Sequence, residues 1–225
     1  MSDPTRTLRA TPVLLLVLLL VPARGVRADP VISEFLAANT TTIVDHDGAS
    51  SDWIEIFNPD PQPASLAGWY LTDTATDKKK WAFPDVTVAA GGYLLVWASN
   101  QNRRDPAKPL HTNFVLNAAG DYLALLQPDG TTVATEFAPA FPAQWENISY
   151  GVTQPAAATE PAVRGHFRTP TPGARNGGAA ALFLPERAVF SRASGPFLGP
   201  ITVTLSGAAA GQQIRYVVAL SLIHI

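Results

Sequence analysis

Three aspartates, Asp45, Asp47 and Asp52, fall within a stretch of eight residues around Gly48. Calcium takes carboxylate and carbonyl oxygens offered on a turn, so this loop is the candidate metal site. It lacks the third ligand and the terminal bidentate Glu of an EF-hand, and the competing reading is an Asx-type turn leading into a charged strand start. Lys78, Lys79 and Lys80, beside Trp81, form one basic cluster, and Arg103, Arg104 and Lys108 form another. If their loops sit together, they could meet an anionic polymer, DNA or an acidic polysaccharide, with Trp81 stacking on it. Against that stands the ordinary use of short charge runs as solvated loops or Lys-guarded sheet edges.

Other constellations say less. Trp53, Trp69, Trp97 and Trp145, with Tyr70 and Tyr93, could build a carbohydrate platform, but most lie inside strand patterns that favour packing. His46, His111 and His166 share no metal-ligand spacing. Glu34 and Glu55 are conceivable as a carboxylate pair, yet strand edges and loop contacts explain them without chemistry. No serine sits in a nucleophile elbow, and no phosphate-binding glycine loop follows a strand. With no cysteine, thiol catalysis and cysteine-ligated metals are excluded. Nothing here calls for a cofactor.

These loops need a scaffold, and the chain supplies short strands. Val31–Leu36, Trp53–Phe57, Leu66–Leu71, Trp81–Phe83, Val86–Val88, Tyr93–Trp97, Asn113–Leu116, Tyr122–Leu126, Thr132–Phe137 and Ile148–Val152 read as strands between turns. Asp129-Gly130 between apolar runs is the clearest hairpin signal. No segment shows a convincing helical period, so the fold class is all-β, a sandwich or barrel. Gly and Pro together number 36, as such a fold requires.

The ends differ from the middle. Arg6 and Arg9 precede an apolar run from Val13 to Val21, then Val26-Arg27-Ala28 offers small residues for cleavage. Residues 1–28 therefore read as a secretory signal, too short for a bilayer span of about 20 residues. No second run approaches that length, so the mature chain is expected to have no transmembrane segment and to be secreted, periplasmic or surface-held. Cleavage before Asp29 leaves 12 basic and 17 acidic residues, a balance that disfavours a generic nucleic-acid coat. Residues 29–176 are expected to form the main domain, 177–184 a linker and 185–219 an incomplete second β-sandwich. Two strands at Ile201–Leu205 and Gln213–Val218 cannot close a core. Residues 220–225 read as a sequencing-adapter scar, with the protein continuing past Ala219.

Several strings in order carry a family resemblance. They are Val31-Ile32-Ser33-Glu34, Asp45-x-Asp47-Gly48, Asp52-Trp53-Ile54-Glu55, Asn58-Pro59 and Gly68-Trp69-Tyr70-Leu71-Thr72-Asp73. Phe83-Pro84, Gly91-Gly92-Tyr93, Leu116-Asn117-x-x-Gly120-Asp121, Pro128-Asp129-Gly130, Ser149-Tyr150-Gly151 and Thr171-Pro172-Gly173-x-x-Asn176 continue them. Over about residues 30–176 the chain resembles the lamin-tail domain, which implies an immunoglobulin-like β-sandwich and no catalysis. From Pro185 to about Val218 it is similar to the immunoglobulin-like C-terminal domain of chitobiases and hexosaminidases, through Phe190-Ser191, Ser194-Gly195, Pro200–Ser206 and Ile214-Arg215-Tyr216. The expectation is an exported, non-enzymatic binding or tethering module of a larger protein, its partner an anionic polymer or another surface protein. The alternative is the targeting domain of a kinase-like, nuclease or hydrolase enzyme whose catalytic part lies elsewhere.

Overall fold

A computed structural model describes residues 27–154, 161–178, 189–193, 195–196 and 198–206. The strands are β1 (Val31–Leu36), β2 (Asp52–Phe57), β3 (Ala64–Ser65), β4 (Tyr70–Thr72), β5 (Trp81–Ala82), β6 (Thr87–Val88) and β7 (Tyr93–Ala98). They continue as β8 (Leu110–His111), β9 (Leu123–Leu126), β10 (Val133–Phe137), β11 (Ser149–Val152), β12 (Arg164–Phe167), β13 (Val189–Phe190) and β14 (Leu205–Ser206). Among the described residues there is no helix, so none that could cross a membrane.

A six-stranded sheet in the order β12-β11-β1-β2-β7-β8 packs on a four-stranded sheet, β10-β9-β4-β5. This is the expected all-β, immunoglobulin-like sandwich. Alternation along each strand decides what lies between the sheets. Ile32, Phe35, Ile54, Ile56 and Val96 point inward from the larger sheet and meet Leu71, Trp81, Leu123, Leu125 and Phe137 of the smaller one. The Phe35 ring sits 4.9 Å from Phe137 and 4.8 Å from Phe141, in tilted, edge-rich contacts that aromatic quadrupoles favour.

The outer face of the larger sheet is also covered. Leu36, Trp53 and Trp97 form a second apolar cluster there, with Ile43 and Leu95 against it. Ile43 comes from the loop 37–51. Asn39 braces that loop, donating from Nδ2 to the carbonyls of Ile43 (2.7 Å) and Ser51 (2.8 Å). The other half of the same face lies beneath residues 171–176, which bond to its glutamates.

Two strand expectations change. Leu110–His111, not Asn113–Leu116, pairs with β7, and it does so in parallel. Val115 makes only an isolated bridge to Ser99, while the Asn113 side chain turns away to the Lys80 carbonyl. Ile148–Val152 does not close the sheet. β12 lies outside it, paired from Ser149↔Phe167 to Val152↔Arg164, although Arg-Gly-His-Phe carries little apolar signal. Asp129-Gly130 does turn the β9–β10 hairpin, with Gly130 at φ +70°.

Beyond the sandwich, β13 pairs with β14, and Val189 and Phe190 are exposed. The strand expected at Ile201–Leu205 is present only as Leu205–Ser206. The strand at Gln213–Val218, the adapter reading at 220–225 and nearly all of the leader lie outside the described residues. Arg27 and Ala28 are described. They contact the sandwich through Arg27 Nη2 to the Pro63 carbonyl (2.8 Å) and Ala28 N to Asp60 Oδ2 (3.0 Å).

Candidate functional site

The densest polar arrangement is buried on the outer face of the larger sheet. Glu34 on β1 opposes Glu55 on β2, and both side chains are fully buried. The register slips between Ile32 and Glu34, making Ser33 the extra residue of a β-bulge. That bulge aims the Ser33 hydroxyl at Glu55 Oε1 (2.5 Å) and brings the strand close to β11. Gly151 is the residue of β11 opposite Glu34. A Cβ there would overlap the Ser33 carbonyl oxygen and lie 2.8 Å from the Glu34 Cα, so only glycine lets the strands approach.

A strap of chain from Thr171 to Asn176 lies over the pair. Ser149 donates its hydroxyl to Glu34 Oε1. The Thr171 amide reaches both Glu34 oxygens at 3.1 Å, and Thr171 Oγ1 lies 2.8 Å from Oε2. Gly173 N donates to Glu55 Oε2 at 2.6 Å. Asn176 pins the strap's end, its Nδ2 donating to the carbonyls of Ser33 and Val152, both at 2.9 Å. Among the described residues neither glutamate forms an ion pair. Burial pushes Glu55 up to about 7 against the hydrogen bonds from Ser33 and Gly173, and the charge of Glu34 raises it further. Burial raises Glu34 as well.

The aspartate loop is built differently. Asp45 Oδ1 accepts from the amides of Asp47 (2.9 Å) and Ala49 (3.0 Å), and Oδ2 accepts from Ser51 Oγ (2.7 Å). Burial opposes its charge, but these hydrogen bonds outweigh it and hold the carboxyl below its ordinary range. Asp47 turns to Arg103 instead, 2.6 Å away. Asp52 accepts from the Asn39 amide at 3.1 Å and is pushed up to about 6 by burial. The structure does not bring the three aspartate side chains together. Their oxygens are spent on separate partners, and among the described residues no group of three or more His, Cys, Asp and Glu is arranged to hold a metal. The Asx turn is what is present.

Arg103 also joins this loop to a histidine pair that no spacing announced. Its Nη1 lies 2.7 Å from His46 Nε2, His46 Nδ1 lies 3.5 Å from His111 Nε2, and His111 Nδ1 lies 2.7 Å from Ser99 Oγ. Arginine can only donate, so His46 accepts at Nε2 and carries its proton on Nδ1. Burial pushes His111 down, and Arg103 adds to the effect.

Among the described residues the two basic loops are connected only through the intervening residues 112–114. Asn113 Nδ2 donates to the Lys80 carbonyl at 2.9 Å, and Lys80 Nζ lies 5.4 Å from the Phe114 ring centre. Asn100 N and Asn102 N bond to Phe114 and Thr112, carrying the 99–108 loop along that strand edge. Lys80 is paired with Asp73 at 2.6 Å and Arg103 with Asp47, so neither offers free charge. Lys78, Lys79 and Arg104 are exposed and form no ion pair among the described residues. Trp81 cannot stack on a ligand as expected. It is 1% exposed and packs edge-on against Phe83 at 4.9 Å, because its strand position faces the core.

A family model described as the Lamin Tail Domain matches residues 26–138, the span from before β1 through β10. The chain belongs to the Lamin Tail Domain family. No curated protein matches it. In this lamin tail domain, β11, β12 and the strap lie beyond the matched span yet complete the larger sheet and seal its outer face.

Glu34 and Glu55 sit at the centre of this lamin tail domain's sheet rather than at strand edges, which corrects one half of their sequence explanation. The loop contacts of the other half are present, supplied by Thr171 and Gly173. The available signal was that Ser-Glu, Ile-Glu, Ser-Tyr-Gly and Thr-Pro-Gly-x-x-Asn each place polar residues where a strand or its cover would be apolar.

Proposed function

We propose that this lamin tail domain is a non-enzymatic binding or tethering module of an exported, larger protein. Its contact surface is the pair of basic loops, and its partner an anionic polymer such as DNA or an acidic polysaccharide. The observation that supports the reading is that Lys78, Lys79 and Arg104 are exposed and form no ion pair among the described residues. The buried carboxylates Glu34 and Glu55, by contrast, are engaged within the fold. The leader-like residues 1–28 and the chitobiase-like strings after Pro185 support export and a modular context.

Retention on heparin and binding of a labelled oligonucleotide test the surface. Replacing Lys78, Lys79 and Arg104 by Ala together should abolish retention, and raising salt should weaken it steeply in the unaltered protein. Retention unchanged by the triple substitution would overturn the assignment.

A further inference from the structure

We propose that the strap Thr171–Asn176 is a proton-dependent clasp: a proton shared by Glu34 and Glu55 holds it on the sheet, and loss of that proton lets it lift. The supply of donors around Glu34 requires that proton. Asn176 uses both Nδ2 hydrogens on the Ser33 and Val152 carbonyls, which fixes its Oδ1 as an acceptor. That oxygen lies 2.9 Å from Thr171 Oγ1. Thr171 has one hydroxyl proton and cannot give it both to Asn176 and to Glu34 Oε2, 2.8 Å away.

The network closes when Glu34 Oε2 carries a proton and donates to Thr171 Oγ1, which donates onward to Asn176 Oδ1. Glu34 Oε1 then accepts from the Ser149 hydroxyl and the Thr171 amide. Glu55 remains the ionised partner, accepting from the Ser33 hydroxyl and the Gly173 amide. One charge in the site is satisfied this way; two would face each other across adjacent strands in a buried space.

The other ionisable groups nearby do not supply a counter-charge. Tyr93 on β7 gives its hydroxyl proton to Gln154 Oε1 at 2.9 Å. Arg175, on the strap itself, is exposed and bonds the Gln154 carbonyl at 2.6 Å. When the shared proton leaves, Thr171 must turn to Glu34 and abandon Asn176. The strap loses its central link while the charge beneath it doubles. The chain continues from Asn176 into Gly177-Gly178, so the clasp sits at the point where the chain leaves the sandwich.

Hydrogen–deuterium exchange on the full chain, corrected for the intrinsic pH dependence, tests this. In the unaltered protein, protection of the Thr171, Gly173 and Ala174 amides should fall as pH rises from mildly acidic to alkaline, by up to about tenfold per unit for one linked proton. Glu34→Gln keeps a donor toward Thr171 and an acceptor toward Ser149, so its strap should stay protected throughout. Equal protection across the range in the unaltered protein, or a variant with the same pH dependence, would overturn the proposal. Should Glu34→Gln not fold, the infrared spectrum of the unaltered protein at mildly acidic to neutral pH decides. A protonated-carboxyl band that titrates with strap exchange supports the clasp, and its absence defeats it.

Discussion

Gly151 lies opposite Glu34 across the β1–β11 pair, directly against the bulge at Ser33. The close approach is what brings the Ser149 hydroxyl within reach of Glu34. A side chain at this one position would push apart the two strands on which the strap is seated.

Gly151→Ala should therefore cost about 3 kcal/mol, at the upper end of what overpacking does in a core. Gly48→Ala is the comparison. Its φ of +82° makes alanine strained, but its Cβ would meet nothing within 4 Å, so a cost of about 1 kcal/mol is expected. Urea unfolding of the two variants checks the ranking, and equal costs would mean the β1–β11 contact is slack.

Stability should carry an inverted pH signature from Glu55. Glu55 shares its buried setting with Glu34, and burial raises both carboxyls, Glu55 from 4.5 to about 7, so the pair as a unit keeps one proton toward neutral pH. Over that range the folded protein holds more protons than the unfolded chain, so the pair's contribution declines as pH rises from 4.5 to 7. The loss is on the order of 3 kcal/mol, complete above the folded value. Asp52, raised from 3.8 to about 6, acts in the same direction. Thermal melts of the unaltered protein and Glu55→Gln should diverge with rising pH, the variant being relatively more stable at about pH 8, above the folded value. Parallel curves would contradict the buried, unpaired setting.

His111 should titrate below the ordinary histidine range in the unaltered protein. Arg103→Ala should move it upward, because burial and the nearby guanidinium both oppose its protonation and the substitution removes one of them. Proton NMR of the imidazole resonances reads this directly. The same variant should lose little stability, since the Arg103–Asp47 pair is partly exposed and screened by solvent.

Trp81 and its lysine neighbours should separate cleanly in their energetics. Trp81→Ala removes a core side chain and should cost about 4 kcal/mol, whereas Lys78→Ala should stay within about 0.5 kcal/mol. If Trp81→Ala instead left stability intact while weakening binding, the ring would be a surface platform after all.

What the sequence determined by itself was the set of strongly patterned strands and the turns between them. β1, β2, β7, β9 and β10 were legible because apolar residues recur through each short run and Gly or Pro punctuates their ends. The Asp-Gly hairpin was legible for the same local reason. β12 was not, since Arg164-Gly165-His166-Phe167 becomes a strand only by pairing with β11. Nor could local pattern show that Trp81 faces inward while Lys78 and Lys79 stay in water, although the two expectations stood side by side. Only tertiary structure decided that Asp47 pairs with Arg103, and that His46 meets His111 across 65 residues. It alone set Glu34 against Glu55 under a strap 137 residues from Glu34 in the chain. Periodicity records the environment of one strand at a time. A buried acid pair is a property of which strands become neighbours, and of the distant chain that closes over them.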